Sequence, residues 1–222
     1  MRTYSEYRAA ARETLDGRWT EAVVMSLVLM IAIGLVAGTD MWISLSSALN
    51  NSTSPYALFG SSVDLLGTIL LVGPLAYAMT NALLAMKRDE LKDVPVKSMM
   101  NLFKGDWQRY VVTYMIQYLV IILISIPTLC IGGLILSYAY KMTPFLLNDY
   151  PELSPKEALK LSREMMKGYK WNLFVLDLTF IGWDILAILT CGIGLLWVMP
   201  YQTLAEAYFY EDLKADVVVE EE

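Results

Sequence analysis

Six long apolar windows constrain the fold of this chain more than any other feature of its sequence. Each carries at most two charged residues, and together they cover residues 19–38, 65–86, 110–127, 130–147, 171–189 and 191–210. An α-helix rises about 1.5 Å per residue, so about 20 residues cross a hydrocarbon core of roughly 30 Å. A soluble core helix accounts for one such window but not for six. The pattern therefore predicts an all-α, polytopic membrane protein with six transmembrane helices.

Composition and the N-terminal segment agree with this class of protein. Of the 222 residues, 56% are hydrophobic and 18% are charged, whereas soluble domains have about 45–50% and about 25%. The first 18 residues are polar, and no small-residue cleavage site follows the first apolar window. This stretch does not resemble a signal peptide, so we expect the first span to remain in the mature protein.

The basic residues predict which side of the membrane each loop occupies. The Lys and Arg residues cluster before the first window, between the second and third, and between the fourth and fifth, whereas residues 39–64 carry none. The positive-inside rule then places both termini in the cytoplasm. Anionic lipid headgroups are the expected partner of this basic face. The net charge of −6 is a poor guide to partners, because the acidic tail contributes much of it. The basic residues are spread over the membrane face and form no known motif, so we expect no nucleic-acid partner.

A glycine–tryptophan motif occurs three times, each time before an apolar window. The three copies read LDGRWTEAVV (15–24), FKGDWQRYVV (103–112) and MKGYKWNLFV (166–175). A glycine in the left-handed conformation ends a helix, and indole is favoured at headgroup depth. We interpret the motif as the point where the chain enters the membrane, at Gly17, Trp19, Gly105, Trp107, Gly168 and Trp171.

The three motifs divide the chain into three tandem hairpins of the same orientation. Repeat 1 covers about 2–90, repeat 2 about 93–149 and repeat 3 about 154–213, followed by an acidic tail over 214–222. Two spans per repeat make this a parallel repeat within a single membrane domain, 1–222. We predict that a cytoplasmic amphipathic interfacial helix precedes each hairpin.

Helical spacing of apolar residues supports the first and third of these lead-in helices. In the first, one face carries Tyr4, Tyr7, Ala11, Leu15 and Trp19. In the third, Ser154 suits the N-cap, Pro155 the first helical position and Glu157 a capping box. The apolar face of that third helix is predicted to contain Ala158, Leu161 and Met165.

Four charged residues lie well inside the apolar windows and form the candidate intramembrane polar network. They are Lys141, Asp177, Asp184 and Glu206. A charge at such a depth costs at least about 2.5–3.5 kcal/mol, so these groups should pair or line a hydrated cavity. We expect Lys141 to pair with Asp177 or Glu206. The alternative is structural: the pair only holds helices together, or its side chains reach toward the cytoplasm.

The sequence offers no catalytic residues, cofactor site or metal site. It contains no histidine and no recognisable catalytic or phosphate-binding motif, so we do not expect an enzyme. Its two isolated cysteines do not form a zinc site. Cys130 and Cys191 occupy matching outer turns of repeats 2 and 3, where an oxidising compartment allows a disulfide. The alternative is two free, buried thiols.

Residues 154–213 resemble a known family. The stretches SPKEALKLSREMMKGYKWNLFVLDLTFIGWDIL, GIGLLWVMPY and AEAYFYEDL are similar to a family of bacterial integral membrane proteins of unknown function. That family is in turn distantly similar to the membrane domain fused to some glycerophosphodiester phosphodiesterases. The resemblance implies a polytopic inner-membrane protein with no assigned activity. It brings no catalytic residues, because the phosphodiesterase chemistry belongs to a separate soluble domain.

These observations favour a non-enzymatic membrane scaffold, regulatory subunit or accessory subunit, with a protein partner or a second copy of the chain. The alternative is a transporter or lipid-handling protein that uses a polar intramembrane cavity. A continuous hydrated cavity lined by the four intramembrane charges would favour the alternative, and a closed bundle would favour the scaffold.

Overall fold

The computed structural model describes residues 1–49, 64–89, 97, 99, 107–128 and 130–220, and this part of the chain is helical without strands. A π-helical segment, Thr68–Val72, leads directly into α3. The helices are α1 Tyr4–Leu15, α2 Trp19–Leu49, α3 Gly73–Lys87, α4 Trp107–Ser125, α5 Ile131–Ala139, α6 Thr143–Asp149, α7 Pro155–Met165, α8 Lys170–Leu178, α9 Ile181–Leu189 and α10 Leu195–Glu220.

Within the described residues, three helical segments are long and apolar enough to cross a membrane, which indicates a membrane protein. They are Trp19–Thr39, Asp64–Lys87 and Trp107–Ser125, and a fourth span results if α8 and α9, which meet at an angle of 43°, count as one. The six predicted spans exceed this number. The fourth window is broken into α5 and α6, of nine and seven residues. The sixth lies in α10, whose stretch 195–212 carries Glu206, Glu211 and Asp212.

The outward faces of several helices are apolar. Leu123 on α4 is 71% exposed, and Ile188 on α9 is 69% exposed. Exposed apolar surface of this extent marks contact with lipid or with another protein. The buried core lies mainly where α1, α2, α3, α6 and α10 meet, and the rings of Phe145 and Tyr210 stack there with centroids 5.0 Å apart.

The glycine–tryptophan motif has the predicted backbone geometry in two of its three copies. Gly17 follows α1 with φ +75°, and Gly168 follows α7 with φ +90°. This left-handed conformation favours glycine and ends a helix. Helices α2 and α4 begin at Trp19 and Trp107, and Trp171 is the second residue of α8. Gly105 and most of the second lead-in segment lie outside the described residues.

The apolar face of α1 packs against protein, which differs from the expected interfacial helix. Tyr7, Ala11 and Leu15 are buried, as the spacing predicts. The ring of Tyr7 lies 5.7 Å from that of Phe209, and its hydroxyl donates to Asp212 over 3.0 Å. An amphipathic pattern predicts only that one face of a helix is apolar and does not identify what covers it. In the structure, α10 covers this face of α1.

Helix α7 has the predicted N-terminus but a rotated buried face. Ser154 and Glu157 form the capping box, and Pro155 is the first helical residue. The buried side chains are Ala158, Leu159, Ser162 and Met165, whereas Leu161 is only partly buried. The Ser162 hydroxyl donates to the carbonyl oxygen of Ala139 over 2.9 Å, which allows this polar residue to enter the core.

The turns that follow α4 and α9 are built alike. The backbone N–H of Gly132 donates to Thr128 Oγ1 over 3.0 Å, and that of Gly194 donates to Thr190 Oγ1 over 2.9 Å. Each turn also contains a cysteine with positive φ, 69° at Cys130 and 54° at Cys191. The two turns therefore share this hydrogen bond, although the cysteine is the second residue after the threonine in one turn and the first in the other.

Candidate functional site

Lys141 contacts two carboxylates inside the helical bundle. Its Nζ lies 3.0 Å from Glu206 Oε1 on α10 and 4.0 Å from Asp177 Oδ2 on α8. The side chain of Glu206 is 9% exposed and that of Asp177 is 15% exposed. The structure therefore brings together three of the four predicted charges, with Glu206 as the closer partner of Lys141.

Two neutral side chains complete the surroundings of Asp177. The Tyr138 hydroxyl donates to Asp177 Oδ2 over 3.0 Å, and Gln202 Nε2 donates to Oδ1 over 3.2 Å. Each carboxylate oxygen accordingly accepts a hydrogen bond, which lowers the cost of burying the charge. We call Tyr138, Lys141, Asp177, Gln202 and Glu206 the Lys141 cluster. Sequence reasoning missed its two neutral members, although Tyr138 and Gln202 lie one helical turn before Lys141 and Glu206.

A break between α5 and α6 positions Lys141. Helix α5 ends at Ala139, and α6 begins at Thr143 with Pro144 in its first turn. Proline lacks the N–H that would continue the helical hydrogen bonds, and its ring clashes with the preceding turn. Lys141 lies in the resulting turn, and its long side chain extends to α8 and α10.

Asp184 is not part of the cluster. It lies on α9, beyond the break at Thr179 and Phe180 that separates α8 from α9. Its side chain is partly exposed and makes no hydrogen bond or ion pair with a described residue. The prediction that Asp184 shares the face of Asp177 assumed one continuous helix, whereas α8 and α9 meet at an angle of 43°.

A second ionic cluster, which sequence reasoning missed, joins the C-terminal ends of α3 and α6 to the middle of α10. Arg88 donates to Asp149 through two hydrogen bonds of 2.7 and 2.9 Å, and its Nε donates to Glu211 over 2.7 Å. Lys214 Nζ and the Tyr210 hydroxyl also donate to Asp149, over 2.7 and 2.9 Å. These five residues form the Asp149 cluster. The sequence feature that could have predicted this cluster is a charged residue at the end of each predicted returning span.

The surroundings of Asp149 favour its charged form. Its side chain is 5% exposed, and burial by itself works to raise the pKa of this carboxyl. The hydrogen bonds from Arg88, Lys214 and Tyr210 outweigh burial, so the pKa of Asp149 lies well below its ordinary value. The bonds to Asp149 likewise raise the pKa of Arg88. Burial works to lower the pKa of Lys214, but the hydrogen bond to Asp149 and the negative charge of Asp149 together raise it.

The structure does not join the two cysteines. Cys130 and Cys191 are both free and both exposed. The disulfide between them stays a prediction, and their exposure differs from the buried thiols of the alternative. Each cysteine lies at the tip of its own hairpin, where the adjoining large side chains are also exposed.

An open groove lies between α1 and the α9–α10 hairpin. It has a volume of about 830 Å³ and is lined by Ser5, Arg8, Ala9, Arg12, Glu13, Asp16, Trp19, Trp183 and Tyr201. A neighbouring cavity of about 310 Å³ shares four of these residues and adds Trp197 and Val198. Sequence reasoning did not predict this groove, because it depends on the docking of α1 against α10.

No three His, Cys, Asp or Glu side chains come together as a metal site within the part of the chain that the structure describes. The chemistry of the Lys141 cluster is that of a buried ion pair with hydrogen-bonding neighbours. Residues 110–216 match the family described as protein of unknown function (DUF975). This match covers slightly less than half of the chain. A search of curated proteins and a search of solved structures gave no match.

The DUF975-matching region contains most of the features that the structure brings together. Lys141, Asp177, Glu206, Asp149 and both cysteines lie within it. Arg88 and the α1 side of the groove precede it. The family description assigns no function. The similarity to the membrane domain fused to glycerophosphodiester phosphodiesterases stays a prediction.

Proposed function

We propose that this chain is a non-enzymatic integral membrane protein that acts as a scaffold, regulatory subunit or accessory subunit. It crosses the inner membrane of a bacterial cell six times, as three tandem hairpins with both termini in the cytoplasm. Helices α5 and α6 together form the fourth span, α8 and α9 the fifth, and the first part of α10 the sixth.

The similarity of two outer turns and the ionic contacts among the three returning spans support this topology. The turns at Thr128–Gly132 and Thr190–Gly194 share a hydrogen bond and a cysteine of positive φ. The Asp149 cluster joins Arg88, directly after α3, and Asp149, the last residue of α6, to Glu211 and Lys214, which follow the sixth apolar window within α10. A parallel repeat requires the returning helices to end on the same side of the membrane.

One observation carries the choice of a scaffold over a transporter: the buried charges bond to one another between helices. Glu206 bonds to Lys141, and Asp149 bonds to Arg88 and Lys214. Among the described residues, the groove and cavity beside α1 and the cavity between α5 and α8 are lined by other residues than Lys141, Asp177 and Glu206. Charges that bond to one another in this way fix the contacts between helices.

Thiol labelling tests the topology. Single-cysteine proteins that retain only Cys130 or only Cys191 should react with a membrane-impermeant maleimide applied to intact spheroplasts. A cysteine-free protein with Glu152→Cys, between α6 and α7, should react only after permeabilisation. Labelling of Glu152→Cys in intact spheroplasts would overturn the proposed orientation.

The assembly state in native membranes tests the scaffold. Extraction into polymer nanodiscs at native expression level should yield a particle that contains more protein than one 25.0-kDa chain, with a partner or a second copy in fixed ratio. Recovery of single chains under several mild extraction conditions would contradict the proposal.

Transport is the second candidate, and Asp184 is the observation that favours it. This carboxylate lies on an apolar helix without a bonding partner among the described residues, and an unpaired intramembrane acid is commonly functional. Proteoliposomes with a pH-sensitive dye distinguish the two candidates. A transporter would show a proton flux that Asp184→Asn abolishes without loss of stability, whereas a scaffold shows the flux of empty liposomes.

A further inference from the structure

The groove between α1 and the α9–α10 hairpin has a charged wall and an apolar wall. The charged wall is one face of α1, with Arg8, Arg12, Glu13 and Asp16. The apolar wall and its extension are formed by Trp19, Trp183, Trp197, Val198 and Tyr201. A membrane lipid has the same division, because its charged headgroup continues into apolar chains.

The four charged groups of the groove leave most of their hydrogen-bonding capacity unused among the described residues. None of them forms an ion pair with a residue in the described ranges, in contrast to Arg88 and Lys141. The Arg12 guanidinium lies 5.9 Å from the centre of the Tyr201 ring. Arg8 donates one long hydrogen bond, 3.4 Å, to the carbonyl oxygen of Thr179, and its Nε has no partner.

We infer that this groove binds one zwitterionic glycerophospholipid of the phosphatidylethanolamine type. Arg8 and Arg12 bind the phosphate, because the planar guanidinium matches phosphate oxygens. Glu13 and Asp16 accept hydrogen bonds from the ammonium group. The acyl chains lie along Trp183 and Trp197, which are 45% and 47% exposed.

The balance of charge selects this headgroup. Two guanidiniums and two carboxylates line the groove. An anionic lipid such as phosphatidylglycerol satisfies the arginines but leaves both carboxylates beside a net negative charge. A phosphatidylcholine headgroup is neutral overall, but its quaternary ammonium has no N–H to donate. The inference rests on the proposed membrane location, and it adds one lipid class and its binding residues.

Native mass spectrometry of the full-length, delipidated protein tests the inference. The protein is titrated separately with phosphatidylethanolamine, phosphatidylglycerol and phosphatidylcholine of identical chains. We expect one phosphatidylethanolamine molecule to bind first and most tightly. Arg12→Gln should weaken this binding about tenfold, the effect of losing one charge-assisted hydrogen bond. Arg163→Gln, an exposed arginine of α7 outside the groove, is the matched control.

A second variant tests the headgroup independently of the phosphate. The double change Glu13→Gln and Asp16→Asn removes the partners of the ammonium group, at two exposed positions. The preference for phosphatidylethanolamine over phosphatidylglycerol should fall about tenfold. Equal binding of the two lipids to the unmodified protein, or equal binding by Arg12→Gln and Arg163→Gln, would overturn the inference. Thiol labelling tests the membrane topology separately, so a failure of the lipid site can be distinguished from a failure of the proposed topology.

Discussion

Arg88 and Asp149 are 61 residues apart in the chain and are joined by two parallel hydrogen bonds of 2.7 and 2.9 Å. Arg88 follows the end of α3, and Asp149 ends α6. Glu211 and Lys214 of α10 bond to the same pair. A single ionic cluster thus joins the C-terminal ends of α3 and α6 to α10.

Loss of the Asp149 carboxylate should destabilise the protein. Asp149→Ala leaves Arg88 and Lys214 without their main partner, and removing one member of a buried pair costs about 3–5 kcal/mol. We expect a loss of about 3 kcal/mol in the free energy of unfolding, measured by denaturant titration in detergent. Glu152→Ala, an exposed acid three residues later, is the control and should change the free energy by less than about 0.5 kcal/mol.

Acid should remove the contribution of Asp149. Its pKa is lowered in the folded state, so its contribution is fully present above the unfolded value of about 3.9 and is lost as the pH falls toward the folded pKa. The free energy of unfolding should therefore decrease below about pH 4, and Asp149→Asn should decrease it less steeply. Identical slopes for the two proteins would show that other carboxyl groups cause the acid sensitivity.

Exchange of charges should identify the partner of Lys141. The Nζ atom is closer to Glu206 than to Asp177. Lys141→Gln leaves Glu206 buried and unpaired, so we expect a loss of about 2 kcal/mol in stability. The exchange Lys141→Glu with Glu206→Lys should recover more of the melting temperature than Lys141→Asp with Asp177→Lys. The opposite ranking would assign Asp177 as the main partner.

The α9–α10 turn should not tolerate a side chain at Gly194. A Cβ there would lie 2.7 Å from the backbone Cα of Ala187, which cannot move independently of α9. Gly194→Ala should destabilise the protein by about 1–3 kcal/mol, the usual cost of overpacking. Gly34→Ala on α2, where a Cβ meets nothing within 4 Å, should be neutral or stabilising, since alanine favours helix. Thermal unfolding of both variants checks the difference.

Local signals predicted local structure well. The caps Ser154 and Glu157, the left-handed Gly17 and Gly168, and the helix starts near Trp19, Trp107 and Trp171 agree with the sequence pattern. Each of these features depends on the conformation of a few neighbouring residues, and the identity of those same residues determines that conformation. The pairing of Lys141 with an acid followed from the cost of leaving a charge unpaired in an apolar helix.

The sequence by itself determined that this chain is helical, that several of its helices suit a membrane, and where the helices at Trp19, Trp107 and Pro155 begin. Only the tertiary structure decided what covers each face and where the fourth and fifth apolar windows break. The apolar face of α1 packs against α10, Ser162 is buried because the carbonyl oxygen of Ala139 accepts a hydrogen bond from its hydroxyl, and Asp184 is separated from Asp177 by a helix break. The sequence pattern predicts which face of a helix is apolar and which residues are charged. What that face or that residue contacts depends on packing between segments that are far apart in the chain, and no local pattern contains this information.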